Sequence, residues 1–248
     1  MEILSHGKKK YVGLLITALI LLVVSLSGCG GRSVGGGGDM VSRAFQVNSF
    51  SELNISIPST IIWQESQQDS VNIEMQENLF EHLQLSVRGN SLTVTSSRPF
   101  ETTGPNVPRI YITSPQITSL SSDNAITTEG WDKVNAPSFS LNISGGALID
   151  IPLDVSFLEV VVDDGGASIT LIGNADNTSI VVNGGVTISA LDLQTADTSI
   201  NLTGGGVIGI AVSNSLDVDI EGAGIISYRG NPTVTRNITG FGSVSRVE

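Results

Sequence analysis

From Ser42 to the C-terminus, apolar and polar residues alternate in short runs, and no long segment spaces its apolar residues as a helix would. That period of two is the mark of half-buried strands. The early candidates are Ala44–Val47, Glu52–Ile57, Thr60–Gln64, Ser70–Met75, Leu83–Val87 and Leu92–Thr95. Gly89-Asn90 between the last two predicts a hairpin turn, since both residues tolerate positive φ. Glu74 to Leu85 could align Met75, Leu79, Phe80 and Leu83 on a helical face, but strand-like flanks limit this to a turn of helix. Pro99, Pro105 and Pro108 predict a loop over 97–108.

Beyond Ile110 the alternation acquires a longer period. Six glycine-centred steps begin at Gly145, Gly165, Gly184, Gly204, Gly222 and Gly240. A nearly fixed spacing, here roughly 20 residues, marks a repeated structural unit. The segments 178–185, TSIVVNGG, and 198–205, TSINLTGG, match position by position one period apart. After each step Ala147/Ile149/Ile151, Ala167/Ile169/Leu171 and Val186/Ile188/Ala190 would face one side, because strand side chains alternate. Ile208/Ile210/Val212 continues the series beyond the extra Gly206.

The pattern therefore predicts an all-β fold, and two architectures produce it. In a β-solenoid with rungs of about 20 residues, equivalent residues stack about 4.8 Å apart. In an antiparallel β-sandwich, Asp164-Gly165 and Asn183-Gly184 would be hairpin turns. The even unit length and the matched segments favour the solenoid, with the glycines as its structural corners. Ser144, Asp164, Asn183, Thr203, Glu221 and Thr239, each just before a corner, would form a varied polar column that keeps like charges apart.

The N-terminus breaks the pattern. Lys8, Lys9 and Lys10 precede an apolar run that extends only from Val12 to Val24. That is shorter than the roughly 20 residues of a membrane-spanning helix and suits a signal peptide core. Leu26, Ser27, Gly28 and Cys29 follow, which resembles the bacterial lipobox and gives the single cysteine a role as a lipidation site. The expected organisation is a signal peptide over 1–28, a Gly-rich flexible tether over 29–40, and one β domain over 41–248. Within that domain, 41–115 is the less regular start or cap and 116–248 the regular repeat. The expected location is the bacterial cell envelope, with the membrane contacted through lipidated Cys29 and the outer membrane or cell surface favoured.

Charge narrows the partners. The chain has 12 basic and 24 acidic residues, and loss of Lys8, Lys9, Lys10 and Glu2 with the signal would leave a net charge of −14. Between Asp123 and Glu221 there are 14 acids and one base, Lys133. Nucleic acid binding, which needs clustered Lys and Arg, is disfavoured. For a β-helical polysaccharide hydrolase or lyase, Asp163, Asp164, Asp219 and Glu221 are the carboxylates to consider. Phe139 and Phe157 are the only aromatic residues from Asp132 to Ser227, so a sugar-stacking cleft is not expected there. With His82 the only histidine after the signal, and no Gly-Gly-x-Gly-x-Asp calcium pattern, neither metal nor cofactor is expected. Trp63 and Trp131 read as core or end-capping residues.

Phe50-Ser51-Glu52-Leu53-Asn54-Ile55-Ser56-Ile57-Pro58, Arg109-Ile110-Tyr111-Ile112-Thr113-Ser114-Pro115 and Tyr228-Arg229-Gly230-Asn231-Pro232 supply one further signal. Together with Thr239-Gly240-Phe241-Gly242-Ser243-Val244 they resemble the head GIN domain family of auto-transporter adhesins, over roughly 41–248. The resemblance implies a right-handed β-helix-like fold at the cell envelope and carries no catalytic residues. The resulting expectation is a non-catalytic, envelope-anchored surface that binds a protein or glycan. The alternatives are a polysaccharide hydrolase or lyase and a purely structural envelope protein.

Overall fold

In the computed structural model, residues 32–102 and 105–248 are described, and Leu26, Ser27, Gly28 and Cys29 lie outside them. The strands are β1 (Val34–Gly35), β2 (Met40–Phe45), β3 (Glu52–Ile55), β4 (Ser59–Glu65) and β5 (Ser70–Gln76). They continue with β6 (Leu83–Arg88), β7 (Ser91–Ser96), β8 (Phe100–Glu101), β9 (Arg109–Ser114) and β10 (Ser119–Ser122). Last come β11 (Ile126–Thr128), β12 (Val134–Ile143), β13 (Ala147–Arg229), β14 (Thr233–Gly240) and β15 (Ser243–Arg246). One short 3-10 turn, Glu77–Glu81, buries Leu79 and Phe80, and the described residues include no α-helix. The fold is all-β. Its main sheet runs from β2 to β6 through hydrogen-bonded neighbours and does not close on itself.

Two pairing regimes divide the sheet. Antiparallel ladders (β2 with β5, β5 with β9, β6 with β7) are confined to Met40–Ser114. Parallel pairing already joins β3 with β7 and β4 with β9, and it continues afterwards: Ser119 faces Ser140, Leu141 faces Val160, and Ile220 faces Ile238. The partners in the last two pairs lie one glycine step apart in sequence. Strand β13 pairs in parallel with β12, β14 and β15. The antiparallel arrangement that would turn Asp164-Gly165 and Asn183-Gly184 into hairpins is not found in these three ladders.

Parallel register stacks like on like. Leu53, Leu92, Leu120 and Leu141 occupy one row across β3, β7, β10 and β12, each fully buried. The predicted inward residues of the repeat, from Ala147 to Val212, are buried as well. Each such Leu, Ile or Val contributes about 1.5–3 kcal/mol by leaving water. Trp63 and Trp131 close the core near its irregular start, with ring centroids 5.7 Å apart. Their indole N–H groups donate to Ser114 Oγ and the Ile61 carbonyl, both at 2.9 Å.

Two expected boundaries move. The strand predicted over Ala44–Val47 is instead Met40–Phe45, because that register sets Val41 against Met75 and Phe45 against Val71. From Ser33 on, the Gly-rich segment belongs to the same compact unit as the rest, Ser33–Glu248. Val34 pairs with Phe100, and Asn78 accepts from the Gly37 N–H and donates to the Gly35 carbonyl. Gly36 packs against the end of the Gln76 side chain, where a Cβ would lie 1.8 Å from Oε1 unless that side chain moved.

Candidate functional site

The first glycines of the six steps lie over one another. A Cβ on Gly145 would meet the Asn124 carbonyl at 2.5 Å, one on Gly165 that of Gly145 at 2.2 Å, and one on Gly204 that of Gly184 at 2.6 Å. The column continues to Gly222 over Gly204 and Gly240 over Gly222, both at 2.3 Å. Gly184 sits less tightly, since a Cβ there would be 3.4 Å from the Gly165 carbonyl. Gly204, Gly222 and Gly240 also have φ between 118° and 131°, a region that side chains rarely adopt. Two positions past the first glycines stand Ala147, Ala167, Val186, Gly206, Gly224 and Gly242, and a Cβ on Gly206 would lie 3.0 Å from Val186. A Cβ on Gly224 would already be 3.0 Å from the Leu202 side chain. These glycines serve backbone approach and offer no chemistry to a ligand.

Polar chemistry gathers on the outer face of β7, β3, β10 and β12. Their pairing sets Thr93, Asn54, Ser121 and Asn142 in one row. Ser91, Glu52, Ser119, Ser140 and Glu159 form the row beside it. A shallow groove follows the first row, with Ser56, Ser144, Asp123 and Asp163 also in its lining. Asn54, Thr93, Ser121 and Asn142 are all half-buried, so the groove is a partly sheltered surface. Asn54 donates to Ser91 Oγ, and Asn142 donates to Ser140 Oγ at 3.0 Å. Ser140 in turn donates to Glu159 at 2.9 Å. The groove thus presents hydroxyls, amides and two carboxylates without a cationic group, and suits many shallow hydrogen bonds.

Two of the four carboxylates considered for hydrolysis are engaged in other contacts. Asp163 accepts from the Asn183 amide at 2.6 Å, and Asp219 accepts from the Asn237 amide at 3.3 Å. Asp164 is exposed at φ 52° beside the glycine column, and Glu221 faces Thr239 across the β13–β14 ladder. Among the described residues, no three His, Cys, Asp or Glu side chains gather as a metal site. His82 lies 3.2 Å from its neighbour Glu81 and 3.4 Å from Ser97 Oγ. Both tryptophans are buried, so neither indole face is open to a sugar ring.

Apolar side chains left outside are a feature that the alternation alone does not reveal. Leu148, Val207 and Ile225, each at the third position past a first glycine, are about half exposed. Phe157 is exposed as well, and Phe241 is 95% exposed.

Comparison with known proteins bears on both fold and site. The sequence model of the family described as "Putative auto-transporter adhesin, head GIN domain" matches residues 49–232. No curated protein matches. A solved structure of a putative adhesin from Bacteroides fragilis superposes with a TM-score of 0.79 at 21% identity, covering 87% of this chain and all of that one. A putative adhesin from Parabacteroides distasonis gives 0.64 at 20% identity, covering 87% and 100%. A protein of the same organism, described as a putative lipid binding protein, gives 0.61 at 20% identity, covering 88% and 100%. At these identities the likeness is one of fold.

Proposed function

This chain belongs to the head GIN domain family of putative auto-transporter adhesins, and on that basis we propose that it is a lipid-anchored envelope protein that binds a surface partner without turning it over. The observation that carries the reading is the polar row Thr93, Asn54, Ser121 and Asn142 along the groove. Neighbouring strands repeat a donor or acceptor about every 4.8 Å. An extended protein segment or a neutral glycan chain can meet such a row with one contact per step. Asp123 and Asp163 at the groove disfavour an anionic glycan, because like charges repel in a partly sheltered site.

The scaffold we propose is a right-handed β-solenoid with rungs of about 20 residues, the glycine column marking its corners. The parallel pairing of residues one glycine step apart and the stacked glycines support it. Right-handed crossover is the rule for parallel strands joined within one sheet. A rigid stack of rungs suits adhesion, since it holds many weak contacts in fixed register and loses little entropy on binding.

Anchoring rests on Leu26-Ser27-Gly28-Cys29, which follows the short apolar run Val12–Val24. Acyl chains on Cys29 would hold the domain at a membrane, each buried methylene contributing about 0.8 kcal/mol. The non-catalytic reading is supported by Asp163 and Asp219, which already accept asparagine amides, and by the two buried tryptophans. The test is a glycan array and a cell-surface pull-down with the Ser33–Glu248 unit, followed by mass analysis of whatever is retained. Capture of an unaltered ligand is expected. A cleaved or modified ligand would replace this reading with an enzymatic one.

A further inference from the structure

The strands at the C-terminal side of the sheet leave an unpaired edge among the described residues. Among the described residues, β14 and β15 pair with β13 and with no other strand, so the outer backbone of both is unpaired. Such an edge is a template for another strand. The core also runs out there: Val234, Ile238 and Val244 pack against it but stay only partly covered.

One side chain departs from the apolar pattern. In the β13–β14 register Leu216, Val218 and Ile220 face Val234, Arg236 and Ile238. Arg236 therefore holds an inward position that Val218, buried to 1% exposure, holds on the preceding strand. Its Nη1 donates to the Val244 carbonyl at 3.3 Å, which lays the guanidinium across the gap between β14 and β15. No carboxylate lies within 4.0 Å of it among the described residues, whereas Arg229 has Asp192 at that distance.

Local charge reinforces the contrast. Tyr228 to Glu248 carries Arg229, Arg236 and Arg246 against Glu248 alone, while Asp123 to Glu221 carries 14 acids and one base. A second copy stacked in the same way would set Arg236 against its counterpart or against an aliphatic residue, and both pairings are unfavourable. An incoming strand with a carboxylate at the position facing Arg236, and apolar residues two places to either side, would meet Val234, Arg236 and Ile238 in turn.

We propose that the open edge of β14 is a docking site for an extended acidic segment of the pattern apolar-x-acidic-x-apolar, which adds a strand and pairs its carboxylate with Arg236. Main-chain hydrogen bonds would supply affinity and the inward side chains specificity, as in other strand-addition modes. Phe241, 95% exposed in the turn after β14, stands at the rim where a further apolar residue of the segment could rest.

The test uses the full chain in detergent and two fluorescent peptides, Thr-Val-Thr-Glu-Thr-Ile-Thr and the same peptide with Lys in place of Glu, followed by anisotropy. The Glu peptide is expected to bind at least tenfold more tightly than the Lys peptide, and Arg236→Glu to reverse that preference. Should Arg236→Glu not fold, Arg236→Gln is expected to abolish the preference while leaving the unfolding temperature within a few degrees. Equal binding of the two peptides to the unaltered chain, or binding of neither, overturns the proposal. Concentration-dependent dimers of the unaltered chain that Arg236→Gln leaves intact would also overturn it, by assigning the edge to a second copy.

Discussion

The Asn183 amide donates to Asp163 at 2.6 Å, linking one repeat to the next. Asp163 lies two residues before its first glycine and Asn183 one before its own, and the contact places a neutral donor where a second acid would be repelled. Asn183→Asp removes the donor and sets two carboxylates side by side. Its expected cost is about 0.5–1 kcal/mol of stability at neutral pH and low salt. High salt should recover part of that loss, since exposed charges are screened. Thermal unfolding at two ionic strengths measures both.

The glycine column predicts a sharp contrast between neighbours. Gly222 has φ 131°, and its Cβ would come 2.3 Å from the Gly204 carbonyl. Gly166 has nothing within 4 Å of the equivalent atom and no positive φ. Gly222→Ala is therefore expected to destabilise by about 3 kcal/mol or more through strain and clash. Gly166→Ala should stay within about 0.5 kcal/mol of the parent. Denaturant unfolding of the two variants, side by side, decides whether the column is a packing requirement.

Buried polar atoms give predictions of opposite sign. Ser114 accepts from the Trp63 indole N–H inside the core, so Ser114→Ala strands that donor and should cost about 1–3 kcal/mol. Thr178 is 3% exposed, and its hydroxyl has no hydrogen-bond partner among the described residues. Thr178→Val keeps the shape and removes the unpaired group, so a gain of about 1 kcal/mol is expected. Melting temperatures of the two variants should move in opposite directions.

Anchoring has its own readout. Cys29→Ser removes the thiol that the lipobox-like Leu26-Ser27-Gly28 precedes. The variant is expected to leave the membrane fraction when cells are fractionated. Retention there would show that the attachment does not depend on this cysteine.

The repeat was legible because parallel stacking rewards identical positions. Alternation after each glycine pair identified the buried rows, and Gly206 takes the place of Ala147 there, so that Ile208 and Ile210 answer to Ile149 and Ile151. Among the varied residues just before the first glycines, Asn183 bonds Asp163 and not Asp164, the residue that the spacing set beside it. The groove was not legible, because Asn54, Thr93, Ser121 and Asn142 come from four strands with no common spacing in sequence. Only the three-dimensional register of β3, β7, β10 and β12 joins them. Residues 34–40 misled for a local reason: glycines read as flexible, yet here Val34 pairs with Phe100, and the Gly35 carbonyl and Gly37 N–H both bond the Asn78 amide.

Binding at the polar row is the central claim, and one comparison tests it most directly. The Ser33–Glu248 unit and its Asn54→Ala, Ser121→Ala, Asn142→Ala triple variant would be titrated onto the ligand recovered from the array or cell surface. Both proteins would first be matched for unfolding temperature. Three lost hydrogen bonds of about 0.5–1.5 kcal/mol each predict at least a tenfold weaker affinity for the variant. Equal affinity of the two proteins would contradict the account and move the binding surface elsewhere on the molecule.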